Sequence, residues 1–210
     1  MLLDDIKEHL IEGDSNKVSE LIHQALDEGF KVGDILNNAL IAGMTALGEL
    51  FQQGKIYLPE MLFAARTMQA GMDILEPLIV ANNVRPVGRI VLGTVKSDVH
   101  DIGKNLVGMM FKGSGFEVID LGIDVAPETF VEAIKKHEPS LLGMSSLLGS
   151  TMEYMQETIQ AIEAEGLRSQ VKIMVGGAII TEQYAQSIGA DGFAPDAAAA
   201  VVKAKELIGI

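Results

Sequence analysis

The chain has 210 residues, 48% of them hydrophobic and 21% charged, so it can bury one large core or two small ones. Its formal net charge of −13 repels phosphate polymers and anionic lipid surfaces, and we expect neither nucleic acid nor a membrane among its partners. The absence of cysteine excludes disulfides and thiolate metal sites, and the acidic N-terminus lacks the pattern of a signal peptide. These features predict a soluble cytoplasmic protein.

Residues 1–83 have the periodicity of amphipathic helices. A capping residue, Asp14 or Ser15, separates the first two helices. A third helix is predicted from Val32 to Gln53, and a fourth from Pro59, a residue tolerated in a first turn, to about Ala81. Helices joined by such short loops predict a four-helix bundle. The apolar residues of the first two helices recur every three or four positions: Leu2, Ile6, Leu10 and Ile11, then Val18, Leu21, Ile22 and Ala25.

The rhythm of the chain changes after a polar break that contains glycine and proline, at residues 82–88 (NNVRPVG). We predict a helical domain over residues 1–83, a linker over 84–88 and a second domain over 89–210. In the second domain short apolar strands alternate with helices, which predicts a doubly wound, five-stranded parallel sheet of the Rossmann or flavodoxin type. The predicted strands are Arg89–Val95, Phe116–Leu121, Leu141–Ser145, Lys172–Val175 and Gly192–Ala194, with helices expected to begin near Gly103 and Pro127.

A histidine follows the first predicted strand, in the sequence KSDVHDIG. Ligands bind parallel sheets at the carboxyl ends of the strands, which is where His100 should lie. Asp98 is close enough to accept the second N–H of the imidazole, and such a partner orients a metal-bound histidine. Gly103 lets backbone approach a bulky flat ligand. From these residues alone, a capping aspartate beside a surface histidine explains the pattern at least as well.

Two further strands also end in small residues. The third ends in Ser145 and is followed by Ser146 and Leu147, and the fourth ends before Gly176 and Gly177. Small side chains on both loops predict a slot between them. The alternatives are a helix cap at Ser145 and a tight strand-to-helix turn at the two glycines.

Taken together, Asp98-x-His100-x-x-Gly103, Ser145-x-Leu147 and Gly176-Gly177 resemble the three-part signature of the cobalamin-binding domain family, in the same order and at similar spacing. The resemblance implies a cofactor, cobalamin or a related corrinoid, that alternates between methylcob(III)alamin and cob(I)alamin. It implies that His100 is the lower axial ligand of the cobalt.

The resemblance also implies roles for the neighbours of His100. No catalytic residue is expected beyond the cobalt, and Asp98 tunes the histidine together with a hydroxyl partner at Thr151, with Ser150 as the alternative. The nucleotide tail of the corrinoid would enter the slot between the Ser145 and Gly176 loops. The expected cofactor-binding residues of this domain are Asp98, Val99, His100, Asp101, Ile102, Gly103, Ser145, Leu147, Gly149, Thr151, Gly176 and Gly177.

The helical half contains the segment FQQGKIYLPE, at residues 51–60, which resembles the cap that covers methylcobalamin in methyl-transferring proteins. By that resemblance Phe51 and Leu58 cover the upper face of the cobalt; the alternative is that both belong to the bundle core. Over nearly its whole length the chain resembles the stand-alone corrinoid proteins of methylamine, methanol and aryl-ether demethylating systems. It is also similar to the B12-binding region of cobalamin-dependent methionine synthase.

The resemblance implies a methyl carrier rather than a complete enzyme. A substrate:corrinoid methyltransferase would load it from a methylated amine, or alternatively from methanol or an aryl methyl ether. A corrinoid:folate or corrinoid:thiol methyltransferase would unload it, and a reductive activase would restore the reduced cobalt. The competing interpretation is a B12-dependent sensor or regulator, which the acidic charge and the lack of tryptophan disfavour. A mutase subunit is disfavoured by the helical cap.

Overall fold

The computed structural model describes residues 2–81 and 85–210, except the side chains of residues 80 and 81. Residues 82–84, where we predicted the boundary between the first domain and the linker, lie outside the described residues. The chain divides into two compact units: residues 1–87 with 109–115, and residues 88–108 with 116–210. Within the described ranges, no helix is both long enough and apolar enough to cross a lipid bilayer.

The first unit is built from helices whose apolar faces meet. Helices α1 and α2 pack on each other and on α5, and their buried residues include Ile6, Leu10, Val18 and Ile22. The side chain of Asp14 caps α2 by accepting the N–H of Lys17 at 3.0 Å. These helices are α1 (Leu2–Glu12), α2 (Ser15–Asp27), α3 (Val32–Ile35), α4 (Ala42–Gln52) and α5 (Leu58–Ala81).

The third predicted helix is helical over nearly its expected length but not uniform. Residues Leu36–Ile41, between α3 and α4, form a π-helical segment. The side-chain amide of Asn37 donates to the carbonyl of Gly33 at 2.8 Å, so that carbonyl carries a side-chain hydrogen bond just where the wider turn begins. Hydrophobic periodicity gave no sign of this segment, which covers only six residues of a longer helical run.

The second unit contains a five-stranded, all-parallel sheet in the order β2-β1-β3-β4-β5, which confirms the predicted fold class. Its strands are β1 (Arg89–Thr94), β2 (Glu117–Asp120), β3 (Leu141–Ser145), β4 (Lys172–Gly176) and β5 (Gly192–Phe193). The helices are α6 (Ile102–Gly113), α7 (Pro127–His137), α8 (Glu153–Ala164), α9 (Glu182–Ser187) and α10 (Ala197–Ile208), with a 3-10 turn at Arg168–Gln170.

The core of this unit lies between the sheet and its helices. Val91, Leu142 and Ile173 come from three adjacent strands and are fully buried, as is Phe130 on α7. Complete burial of one such side chain stabilises the fold by about 1.5–3 kcal/mol. Because the core lies along the strands, their carboxyl ends are left free to carry polar loops.

Candidate functional site

Three of the expected loops begin side by side in the second unit. Thr94, the last residue of β1, pairs with Ser145 on β3, and Ser145 pairs with Gly176 on β4. The chain adds β2 on one side of β1 and then adds β3, β4 and β5 on the other side. The carboxyl ends of β1 and β3 therefore form a topological switch point, which is where open parallel sheets bind ligands. The segment that carries His100 therefore starts at the position where the fold is best suited to hold a ligand.

Asp98 is the centre of the hydrogen bonding at this edge, and it is fully buried. Its Oδ1 accepts the backbone N–H of His100 at 3.0 Å and bonds to the Nδ1 of His100 at 2.7 Å. Its Oδ2 accepts the N–H of Leu147 at 2.7 Å and the hydroxyl of Thr151 at 2.9 Å. The structure therefore brings together Asp98, His100, Leu147 and Thr151, and it places Thr151 rather than Ser150 on the aspartate.

The same contacts keep Asp98 ionised. Burial alone would raise its pKa, but the hydrogen bonds from Leu147, His100 and Thr151 outweigh burial and hold the pKa well below the ordinary value. A carboxylate can only accept, so the Nδ1 of His100 carries the proton of their shared hydrogen bond. The lone pair of the imidazole then lies on Nε2.

Nε2 is the atom that this arrangement leaves free. The side chain of His100 is 45% exposed, and none of the described residues hydrogen-bonds to Nε2. The backbone of His100 is fixed on its other side, because the buried hydroxyl of Thr94 donates to the His100 carbonyl at 3.1 Å. The result is an oriented imidazole with one nitrogen available to a metal.

Ser146 belongs to this network, although the sequence pattern drew attention to Ser145. The buried hydroxyl of Ser146 lies 2.7 Å from the hydroxyl of Thr151 and 3.4 Å from Oδ2 of Asp98. Ser145 is the half-buried last residue of β3. The signal that could have found Ser146 is its place as the first residue beyond the strand, since the loop residues of a parallel sheet form its ligand edge.

The two glycines at the end of β4 differ in what they permit. Gly177 has φ +138°, and a Cβ there would lie 1.8 Å from the carbonyl oxygen of Ser146, so the fold itself requires glycine. A Cβ on Gly176 would meet only the Ala194 carbonyl, at 3.5 Å, an ordinary contact. The tight-turn interpretation thus accounts for Gly177, whereas Gly176 keeps a bare backbone where the packing would tolerate a side chain.

Exposed apolar side chains follow four different strands at this edge of the sheet. Ile102, the first residue of α6, is the most exposed at 74%, and Val99 lies in the loop between β1 and α6. The others are Ile123 after β2, Leu148 after β3 and Ile179 after β4, three residues that the sequence signature did not identify. Gly103 and Gly149 are exposed, with no heavy atom near the position of a Cβ. Exposed apolar groups in several loops at one edge are typical of a ligand-binding surface.

The remaining expected residues lie as follows. Asp101 is half-buried and accepts the side-chain N–H of Asn105 at 3.0 Å. In the first unit, Phe51 is a half-buried residue of α4, and Leu58 is the exposed first residue of α5. Tyr57, beside Leu58, is exposed as well.

A corrinoid fits this donor set. No group of three or more histidine, aspartate or glutamate side chains that could hold a bare metal ion occurs within the described parts of the chain. A metal bound here by His100 must therefore bring most of its ligands with it, as the cobalt of a corrin ring does. The apolar side chains after β1 to β4 suit the face of such a ring, and the bare backbone at Gly176 suits the passage of a tail.

Comparison with protein families gives matches along both halves of the chain. A family model described as a B12 binding domain matches residues 88–202, more than half of the chain. A second B12 binding domain model matches residues 2–76.

Individual relatives match over nearly the full length. A dimethylamine corrinoid protein of Methanosarcina acetivorans is 41% identical, over 99% of this chain and 97% of that protein. A crystal structure of a cobalamin-binding protein from Desulfitobacterium hafniense has a TM-score of 0.80 at 34% identity, covering 99% of this chain and 98% of that one. The methanol:cobalamin methyltransferase complex of Methanosarcina barkeri contains a chain with a TM-score of 0.86 at 27% identity, covering 100% of this chain and 80% of that one.

Proposed function

Because the chain belongs to the B12 binding domain family and its cofactor is cobalamin or a related corrinoid, we propose that it is a methyl carrier whose cobalt is held from below by His100. The observation that carries the ligand assignment is the imidazole itself. Nδ1 is fixed on a buried carboxylate at 2.7 Å, and Nε2 is free at the ligand edge of the sheet.

The residues around His100 set its position and its tautomer. Asp98 holds the ring in the tautomer that exposes a lone pair on Nε2, and Thr151 and Leu147 hold Asp98. The bound corrinoid supplies a cobalt centre that accepts and releases methyl groups.

The loops after β3 and β4 are proposed to receive the nucleotide tail of the corrinoid. Support comes from Gly176, whose bare backbone the packing does not require, and from the small residue Ser145 at the neighbouring strand end. We also propose that Phe51 and Leu58 cover the upper face of the corrin. Leu58 is exposed in the first unit, as a residue that meets a cofactor must be.

The methyl-carrier role is supported by the relatives. A dimethylamine corrinoid protein is similar over 99% of this chain, and a matching chain is part of a methanol:cobalamin methyltransferase complex. We propose that one methyltransferase loads the carrier from a methylated amine and that a second unloads it to a folate or a thiol. A reductive activase would restore the reduced cobalt after accidental oxidation.

A donor panel tests this role. The chain is reconstituted with cobalamin, reduced to cob(I)alamin, and mixed with the methyltransferases encoded beside it and with monomethylamine, dimethylamine, trimethylamine, methanol or methoxybenzene. We expect a methylamine to convert the absorption spectrum from the reduced to the alkylated form.

Two variants control that experiment. His100→Ala should bind corrinoid more weakly, and His137→Ala, at the end of α7, should behave as the parent does. If the chain holds its corrinoid and no donor alters the spectrum with any of these methyltransferases, the carrier role is wrong.

A further inference from the structure

A buried lysine lies immediately after the histidine loop. Lys104 is in the first turn of α6, and its side chain is only 2% exposed. Burial of an ammonium group is unfavourable unless partners replace its water, so lysine is rarely found in such a position without a structural or functional reason. The proposed function gives Lys104 no role.

The ammonium group of Lys104 is fully occupied by other side chains. Its Nζ donates to both carboxylate oxygens of Asp120, at 2.7 and 2.6 Å, and to Oδ1 of Asn105 at 2.8 Å. An ammonium has three N–H donors, and three acceptor atoms lie within reach. Lys104 is thus buried and saturated, which makes it unsuited to bind a ligand directly.

The contacts continue from Lys104 to the histidine loop. Asn105, whose Oδ1 accepts from Lys104, donates from Nδ2 to Oδ2 of Asp101 at 3.0 Å. Asp101 directly follows His100 in the chain. A continuous hydrogen-bonded path therefore joins Asp120, at the end of β2, to the residue beside the histidine.

The direction of this support follows from burial. The side chain of Asp120 is 44% exposed, so its carboxylate can be hydrated without the lysine. The ammonium group of Lys104 has no such access to water. The buried ammonium group therefore keeps Oδ1 of Asn105 as its acceptor, and this contact turns Nδ2 of Asn105 toward Asp101.

We propose that Lys104 is a positioning residue for His100, acting through Asn105 and Asp101. Asp98, which precedes His100 in the loop, holds the imidazole directly. Lys104, through Asn105, holds Asp101, which follows His100. The inference rests on the proposed function, since it concerns the readiness of Nε2 to coordinate cobalt. Loss of this support loosens the loop on the side that follows His100 and makes coordination less favourable, although Asp98 still holds Nδ1.

The test uses cobinamide, a corrinoid without a nucleotide tail, whose coordination by histidine is visible in the absorption spectrum. Lys104→Met is the principal variant, and Asn105→Leu breaks the same path without removing a charge. We expect each to raise the Kd for cobinamide about tenfold, the lower end of the losses caused by removing outer partners of a metal ligand. Lys172→Met, an exposed lysine beside Asp191, should leave the Kd unchanged.

The same substitutions in a His100→Ala background separate positioning from general stability. A positioning residue has nothing left to position there, so Lys104→Met and Asn105→Leu should no longer change the Kd. If they weaken binding equally in both backgrounds, or leave the Kd of the parent background unchanged, Lys104 is a structural residue and the inference is wrong. The parent and His100→Ala compared alone test the ligand assignment itself, since equal affinity and spectra there would overturn the proposed function instead.

Discussion

The two ends of the sheet each contain an aspartate, 0% exposed for Asp98 and 17% for Asp191, and the two carboxylates are stabilised in different ways. At the amino end, Asp191 accepts the N–H of Ile173 at 2.8 Å and pairs with Arg168 at 2.8 Å and Lys172 at 3.6 Å. At the carboxyl end, Asp98 accepts from backbone N–H groups, a hydroxyl and an imidazole.

The difference is the reason why we propose a site at the carboxyl end. The cations around Asp191 satisfy its charge within the protein. Asp98 is kept ionised mainly by uncharged donors, and among its partners His100 is the one whose side chain can bind a metal. Each prediction below compares a substitution at the carboxyl end with a matched one elsewhere.

The largest effect is expected at Gly177. Gly177→Ala places a methyl group 1.8 Å from the Ser146 carbonyl at a φ that alanine rarely adopts, and should destabilise the protein by about 4 kcal/mol or more. The matched change, Gly166→Ala, also at positive φ but with open space around it, should cost about 1–2 kcal/mol. Urea unfolding of both variants measures the two losses in the free energy of unfolding. Similar losses would mean that the backbone after β4 is not specially constrained.

The next effect distinguishes the two aspartates. Asp98→Asn removes the negative charge that orients and polarises His100, and should weaken corrinoid binding about tenfold to a hundredfold. Asp191→Asn should lower stability and leave corrinoid affinity unchanged, because its partners lie at the other end of the strands. Binding titrations on both purified variants test this, and equal losses of affinity would contradict a special role for Asp98.

A smaller effect is expected for the buried hydroxyl groups. Thr151→Val keeps the shape of the side chain but removes the hydrogen bond to Asp98, and should cost about 1–3 kcal/mol of stability. It should also weaken corrinoid binding severalfold, since Asp98 is less firmly held. Ser140→Ala, which loses hydrogen bonds to the backbone of Arg89 at the amino end, should alter stability alone. Unchanged corrinoid affinity in Thr151→Val would show that the Thr151 hydroxyl does not contribute to corrinoid binding.

The smallest effect concerns Tyr184, whose hydroxyl donates to the Met152 carbonyl beyond the β3 loop. Tyr184→Phe should cost about 1 kcal/mol at neutral pH. Burial, and secondarily the negative charge of Glu153, raises the pKa of Tyr184 above its ordinary value of 10.0. The hydroxyl's contribution should thus be complete below pH 10 and disappear as the pH rises through the raised pKa.

Unfolding free energies measured at neutral and alkaline pH test the sign of this effect. Tyr57→Phe, a change at an exposed tyrosine, serves as the control and should have no effect on neutral-pH stability. A Tyr184→Phe deficit that grows with pH would contradict the assignment.

The sequence was most informative where local signals are strong. Proline at the first position of α7 and the apolar run of β3 placed both elements correctly, because these signals act within a few residues. The aspartate–histidine contact was equally accessible, since its partners are two residues apart. Thr151 could be proposed as the partner of Asp98 only through the family resemblance, as the two lie 53 positions apart.

Other features were not accessible because they depend on packing. A lysine in a sequence is normally exposed, and the partner that allows Lys104 of α6 to be buried, Asp120, lies 16 positions away at the end of β2. The exposed Ile123 and Leu148 resembled ordinary apolar loop residues until the strand order placed them at the same edge of the sheet as His100. Whether such residues are core or surface is decided by the tertiary fold.

The most direct test of the account is the identity of the nitrogen on the cobalt. The protein contains four histidines, and it can be produced with all of them labelled with nitrogen-15 and loaded with cob(II)alamin. We predict that each hyperfine line of the electron paramagnetic resonance spectrum changes from the triplet of nitrogen-14 to the doublet of nitrogen-15, and that His100→Ala loses this doublet while His137→Ala keeps it. A triplet in the labelled protein, or a doublet that survives in His100→Ala, would show that His100 is not the ligand.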